Sequence, residues 1–168
     1  MYQKTALFSG DSISYGHCDS VANRAWAGRI GKKYDMNYVN ASVSGASVST
    51  VRGTNRMLPQ IQQHQGESFE LVVLHGGTND AMDSVSVGQM TSSFDVEDFD
   101  TTTFAGGLEE LLYYAKQYYP DAKFGYIINF RFEYNLAIGR LGDLTEYVEM
   151  TKAICDKWGV PYLDLYNN

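Results

Sequence analysis

A chain of 168 residues is long enough for one domain with a sizeable core, and 44% hydrophobic against 20% charged residues is an ordinary globular balance. A formal net charge of −7 with no long basic run disfavours nucleic acid and anionic membrane surfaces as partners. No apolar run is long enough to span a bilayer, the N-terminus lacks a signal region, and two distant cysteines, Cys18 and Cys155, make no disulfide framework; a cytoplasmic protein, or one whose leader was removed, is expected.

The predicted elements alternate. Residues 5–9 read as a strand, and 21–34 as a helix carrying Ala25, Trp26, Ile30 and Lys33. A strand over 38–43, a helix over 56–64 and a strand over 71–75 follow. Residues 81–103 break the rhythm: this stretch is long and polar, with Asp95, Glu97, Asp98 and Asp100 close together. It reads either as a solvated acidic surface or as a lid that selects substrate. Its spacing does not fit a calcium loop, and no metal is expected. Residues 104–119 carry Leu108, Leu111, Leu112 and Ala115 at helical spacing up to Pro120. A strand over 124–130, a helix over 143–158 stopped by Gly159 and Pro161, and a strand over 160–165 complete the chain. Short continuous apolar runs suit strands buried on both faces, so the pattern predicts a parallel α/β sheet with helices on both sides. The 13 tyrosines fit packing, with contact to ring-bearing ligands as the alternative.

In such a sheet, ligands bind beyond the carboxyl ends of the strands. The first strand is followed by Gly10-Asp11-Ser12-Ile13, the second by Ser44-Gly45, and the third by Gly77-Thr78-Asn79-Asp80. Each alone is ordinary turn chemistry. In this order, each after a predicted strand, they resemble the SGNH (GDSL-like) hydrolases, a family of esterases and lipases. The resemblance covers essentially the whole chain, including the Asn23 and Trp26 region. It implies a flavodoxin-like three-layer α/β/α sandwich with strand order 2-1-3-4-5 and a small-molecule acyl ester as substrate, such as an acetylated carbohydrate or lipid-like ester. No cofactor is required. Ser12 is then the nucleophile. Backbone N–H groups of Ser12 and Gly45 and the side-chain amide of Asn79 form the oxyanion hole, each donor lowering the barrier by about 3 kcal/mol. Asp11 and Asp80 support the loops. An inactive ligand-binding module of the same fold is the alternative reading. A flavin- or nucleotide-binding domain is disfavoured because no glycine-rich phosphate loop follows the first strand.

The nucleophile needs a base. The family's base is a histidine in an Asp-x-x-His block after the fifth strand, whereas Asp164 is followed three residues later by Asn167. Asp164 is therefore not assigned as the catalytic acid. Of the histidines present, His64 is expected far from Ser12, and His17 could face the site or solvent. His75 is the best internal candidate, although packing is the commoner role for such a residue. The expectation is a single domain over 1–168, truncated at its C-terminus. It would lack the last helix and expose an apolar face through which copies could associate.

Overall fold

The computed structural model describes residues 4–16, 25–129 and 143–168. Strand β1 (Thr5–Gly10) turns at once into a one-turn helix, α1 (Ser12–Tyr15). There follow α2 (Trp26–Lys33), β2 (Asn37–Asn40), α3 (Met57–Gln62), β3 (Leu71–His75), α4 (Thr78–Met82), α5 (Phe104–Tyr118), β4 (Lys123–Ile128), α6 (Thr145–Trp158) and β5 (Tyr162–Asp164). The five strands form one parallel sheet in the order β2-β1-β3-β4-β5, as expected.

The two faces of the sheet are covered by different elements. Leu7, Val72 and Leu74 point to the side of α3, α5 and α6, and join the large core of Met57, Ile61, Leu108, Leu111, Leu112 and Ile154. The helical spacing of Leu108, Leu111, Leu112 and Ala115 lays all four against the sheet, none of them exposed. Ala6 and Phe8 point to the other side, onto Trp26, Ala27 and Ile30 of α2, with Leu71 and Val73 beside them. In register this second face runs on from Val73 to Gly125, and from Ile127 to Leu163. Here it opens to solvent: Leu163 is 52% exposed.

Several elements are shorter than predicted. Strand β2 ends at Asn40 rather than residue 43 because the Asn40 side chain turns the chain: Nδ2 donates to Ser14 O (3.0 Å) and Oδ1 accepts from Ser42 N (3.3 Å). Helix α2 starts at Trp26, and the earlier part of its predicted span, 21–24, lies outside the described residues, as do His17, Cys18 and Asn23. No described helix is long and apolar enough to cross a membrane.

The long segment after α4 is a strap, and for most of its length it is not over the Ser12 edge. Helix α6 leads from the carboxyl edge of the sheet back to the start of β5, so its end, Trp158, lies at the opposite edge. Phe94 packs on Trp158 at 5.1 Å between ring centroids, and Phe99 at 6.2 Å. Lys157 Nζ donates to Thr91 O (2.8 Å) and Ser93 O (2.5 Å) and pairs with the fully buried Glu109 of α5. The acidic side chains largely cap their own turns. Asp95 accepts from Glu97 N at 3.3 Å, and Asp100 from Thr102 N at 3.2 Å. The acidic stretch is thus solvated turn structure, and only the portion up to about Val87 stays near the Ser12 edge.

Candidate active site

Ser12 stands at the first position of α1, where the helix cannot satisfy the backbone N–H. Asp11 caps the helix, its Oδ1 accepting from Ile13 N at 2.9 Å. Gly10 permits the sharp entry: a Cβ there would stand 2.5 Å from both His75 O and Ser14 Oγ. Buried Gln60 of α3 fixes the end of β1, Oε1 accepting from Ser9 Oγ (2.7 Å) and Gly10 N (3.0 Å) while Nε2 donates to Gly10 O (2.9 Å).

The second loop is braced against the first and third. Val43 N donates to Gly10 O at 3.1 Å, which seats the 43–46 turn beside the Ser12 turn. Gly45 has φ +80°, a conformation that favours glycine. Fully buried Asp80 of α4 accepts from Val48 N (2.8 Å), Ser49 N (2.9 Å) and Ser49 Oγ (2.6 Å). Asn79, also buried, donates from Nδ2 to Ala46 O at 2.7 Å and accepts on Oδ1 from Arg52 Nη1 at 3.1 Å. The guanidinium can only donate and the carbonyl can only accept, so the amide has one possible orientation, and a second Nδ2–H is left over. Among the described residues, Ser12 N, Gly45 N and that remaining Nδ2–H have no acceptor. Three hydrogen-bond donors therefore stand at the turns and helix starts that follow β1, β2 and β3 at one edge of the sheet.

Neither described histidine is placed as a base for Ser12. His64 pairs with Glu67 three residues on, at 2.8 Å, at the far end of α3. His75 is buried with both ring nitrogens engaged: Nδ1 faces Ser14 Oγ (2.9 Å) and Trp26 Nε1 (3.3 Å), and Nε2 faces Asn129 Oδ1 (2.7 Å). Asn129 Nδ2 donates to Thr78 Oγ1 at 2.8 Å, which turns its Oδ1 to the ring. This network assigns the neutral Nε2–H tautomer, with Nδ1 accepting. Burial holds the His75 pKa below its ordinary value, against the pull of Asp11 and of the Asn129 hydrogen bond; burial likewise raises that of Asp11.

His75 accordingly makes stability pH-dependent. The unfolded chain takes up a proton near pH 6.5 that the native chain refuses until lower pH, so stability falls as pH drops below about 6.5. Asp11 acts with the opposite sign, since its raised native pKa removes stability as pH rises from about 3.8. In denaturant titrations between pH 6.5 and 5.5, His75→Gln should flatten the wild-type slope, which for one proton is at most about 1.4 kcal/mol per pH unit. Equal slopes in the two proteins would refute this account of His75.

Asp164 closes β5, and Asn167 takes the place three residues on. Asp164 accepts from Asn167 Nδ2 (2.8 Å), Asn167 N (3.1 Å) and Tyr166 N (2.9 Å), and pairs with Lys152 at 2.8 Å. Burial favours the neutral carboxyl, but the Lys152 and Asn167 contacts outweigh it and hold the pKa below the usual carboxylate range. Asp164 is thus a turn-forming carboxylate with its own partners.

Sequence reasoning missed Arg52, Asn55 and Gln60. Gln60 carried a signal, a polar residue between the buried Met57 and Ile61 on the core face of α3. Arg52 and Asn55 carried none, because they meet Gly45 and Asn79 only through the fold. Beside the third loop lies an open groove of about 440 Å³ lined by 84–87, Ala81, Asp143, Leu144, Glu146 and Tyr147.

The chain matches the GDSL-like lipase/acylhydrolase family over residues 8–168. No curated protein matches it. Among solved structures it is similar to a structural-genomics protein from Lactobacillus plantarum, at 22% identity and TM-score 0.78, covering 100% of this chain and 79% of that one. A Bacteroides ovatus protein described as a GDSL-like lipase aligns at 18% identity and TM-score 0.78, over 98% of this chain and 86% of that one. AlinE4, an SGNH-hydrolase family esterase, aligns at 13% identity and TM-score 0.64, over 97% and 76%. At these identities the likeness concerns the fold.

Proposed function

Because the chain belongs to the GDSL-like lipase/acylhydrolase family, we propose that it hydrolyses a small acyl ester, with Ser12 as nucleophile and Ser12 N–H, Gly45 N–H and the Asn79 amide as the oxyanion hole. The observation that carries this reading is the fixed amide of Asn79, whose spare donor has no protein acceptor among the described residues. Such preorganised donors match a developing negative charge, which is where acyl transfer gains most.

In the proposed reaction Ser12 Oγ attacks the ester carbonyl carbon, and the carbonyl electron pair moves onto oxygen. The three donors hold that oxyanion. The Ser12 proton passes to a base and then to the departing alcohol as the intermediate collapses to an acyl-enzyme. Water repeats the sequence and releases the acid. The base is neither His64 nor His75, whose partners are described above. The groove beside the third loop suits the alcohol part of the ester in size. Its polar rim of Ser84, Ser86, Asp143, Glu146 and Tyr147 favours a hydroxyl-bearing alcohol, such as an acetylated carbohydrate, over a long apolar chain.

The test is hydrolysis of a short-chain aryl ester with and without added imidazole, a diffusible substitute for the base. The expected result is an imidazole-dependent rate above that of free imidazole, lost in Ser12→Ala. A Ser12→Ala protein as fast as wild type would overturn the proposal.

A further inference from the structure

We infer that Arg52 is a positioning residue that holds the oxyanion hole in its working geometry; this rests on the reading of Ser12, Gly45 and Asn79 given above. Arg52 ends the 3-10 turn Thr50–Arg52. Its Nε and Nη2 bind Asp83 Oδ2 (2.6 Å) and Oδ1 (2.9 Å) as a two-pronged pair. That pair leaves Nη1 facing inward, where it donates to both Gly45 O (2.8 Å) and Asn79 Oδ1 (3.1 Å). One planar cation thus joins the loop that carries Gly45, the helix that carries Asn79 and the residue that follows that helix.

The contact to Asn79 sets a donor direction, and the contact to Gly45 O anchors the peptide that follows the second donor. By occupying Asn79 Oδ1, Arg52 prevents the amide from flipping, so the spare Nδ2–H keeps its aim. At Gly45, Arg52 holds the carbonyl while Asn55 Nδ2 donates to Ser44 O at 3.3 Å. In a trans peptide the Ser44 carbonyl and the Gly45 N–H point opposite ways, so fixing one aims the other. The same two side chains pack behind the glycine: a Cβ on Gly45 would lie 3.2 Å from Asn55 Nδ2 and 3.3 Å from Arg52 Nη1. Lysine cannot substitute, because a single ammonium cannot make a fork to Asp83 and reach two inward oxygens at once.

The test compares wild type, Arg52→Met, Arg52→Lys and Ser12→Ala. Side-chain and backbone amide NMR reads the Asn79 carboxamide and the Gly45 N–H directly. Imidazole-supported aryl ester hydrolysis gives kcat and KM, and thermal melting checks the fold. In both Arg52 variants the Asn79 and Gly45 signals should shift, and kcat should fall about 10- to 100-fold with KM within about 3-fold. Unmoved Asn79 and Gly45 signals in folded Arg52→Met, or full kcat in Arg52→Lys, would overturn the inference. Hydrolysis that survives in Ser12→Ala would instead overturn the ester-hydrolase reading, and the amide signals would still decide the role of Arg52.

Discussion

Replacing Asn79 by alanine should slow imidazole-supported ester hydrolysis about 100- to 1,000-fold while leaving KM nearly unchanged. The split follows from when the donor acts. In the proposed reaction its spare N–H meets an oxygen that becomes fully charged only in the transition state, so ground-state binding should lose little. Asn79→Asp is the sharper companion. It keeps the size of the side chain but replaces the donor by an acceptor, so it should lose at least as much rate. Both variants should also lose some stability, about 1–3 kcal/mol, because Ala46 O gives up its 2.7 Å partner in a buried place. A kcat in Asn79→Ala within a factor of three of wild type would mean that Asn79 holds loops and does not touch the oxyanion.

The largest stability effect is expected far from Ser12. Lys157→Met should destabilise the protein by about 3–5 kcal/mol, because it strands the carboxylate of Glu109, which is 0% exposed. That is a large part of the roughly 5–15 kcal/mol by which a domain of this kind is stable. The lysine also holds Thr91 O and Ser93 O and lies over the Phe94 ring at 4.7 Å, so the strap should loosen along with the pair. The double change Lys157→Met with Glu109→Met should recover much of the loss, since two apolar side chains of similar volume leave no buried charge. Denaturant unfolding measures both. A single variant within about 1 kcal/mol of wild type, or a double variant no better than the single one, would contradict this account of the strap.

The parts of the fold set by local pattern were legible in the sequence. Residues 5–9 and 71–75 are unbroken apolar runs because parallel strands are buried on both faces, and Leu108, Leu111, Leu112 and Ala115 repeat with the period of a helix. The small polar residues after the strands marked the candidate edge, because the sheet geometry allows little else at a tight strand-to-helix turn. What could not be read depended on partners distant in sequence. Arg52 meets Asn79 across 27 residues, Gln60 meets Gly10 across 50, and Lys157 meets Thr91 across 66. The path of the long polar segment was hidden in the same way. Its acidic residues dominate the sequence, yet the ring contacts of Phe94 and of the buried Phe99 with Trp158 decide where it lies. His75 shows the limit in a single residue. Its position at the end of β3 was plain, but its engagement with Ser14, Trp26 and Asn129 depends on three separate elements meeting.

On the proposed reading, Ser12 in the folded protein is a nucleophile facing an oxyanion hole. Treating the protein with an aryl fluorophosphonate in the presence of imidazole, then locating the adduct by peptide mass spectrometry, tests it most directly. Attack by Ser12 Oγ forms a phosphorus–oxygen bond and expels fluoride while imidazole takes the hydroxyl proton, and the phosphoryl oxygen carried over from the reagent mimics the oxyanion. One adduct is expected, on Ser12, slowed in Asn79→Ala and absent from protein unfolded in denaturant. No adduct on Ser12, or labelling that proceeds equally in the unfolded chain, would contradict it.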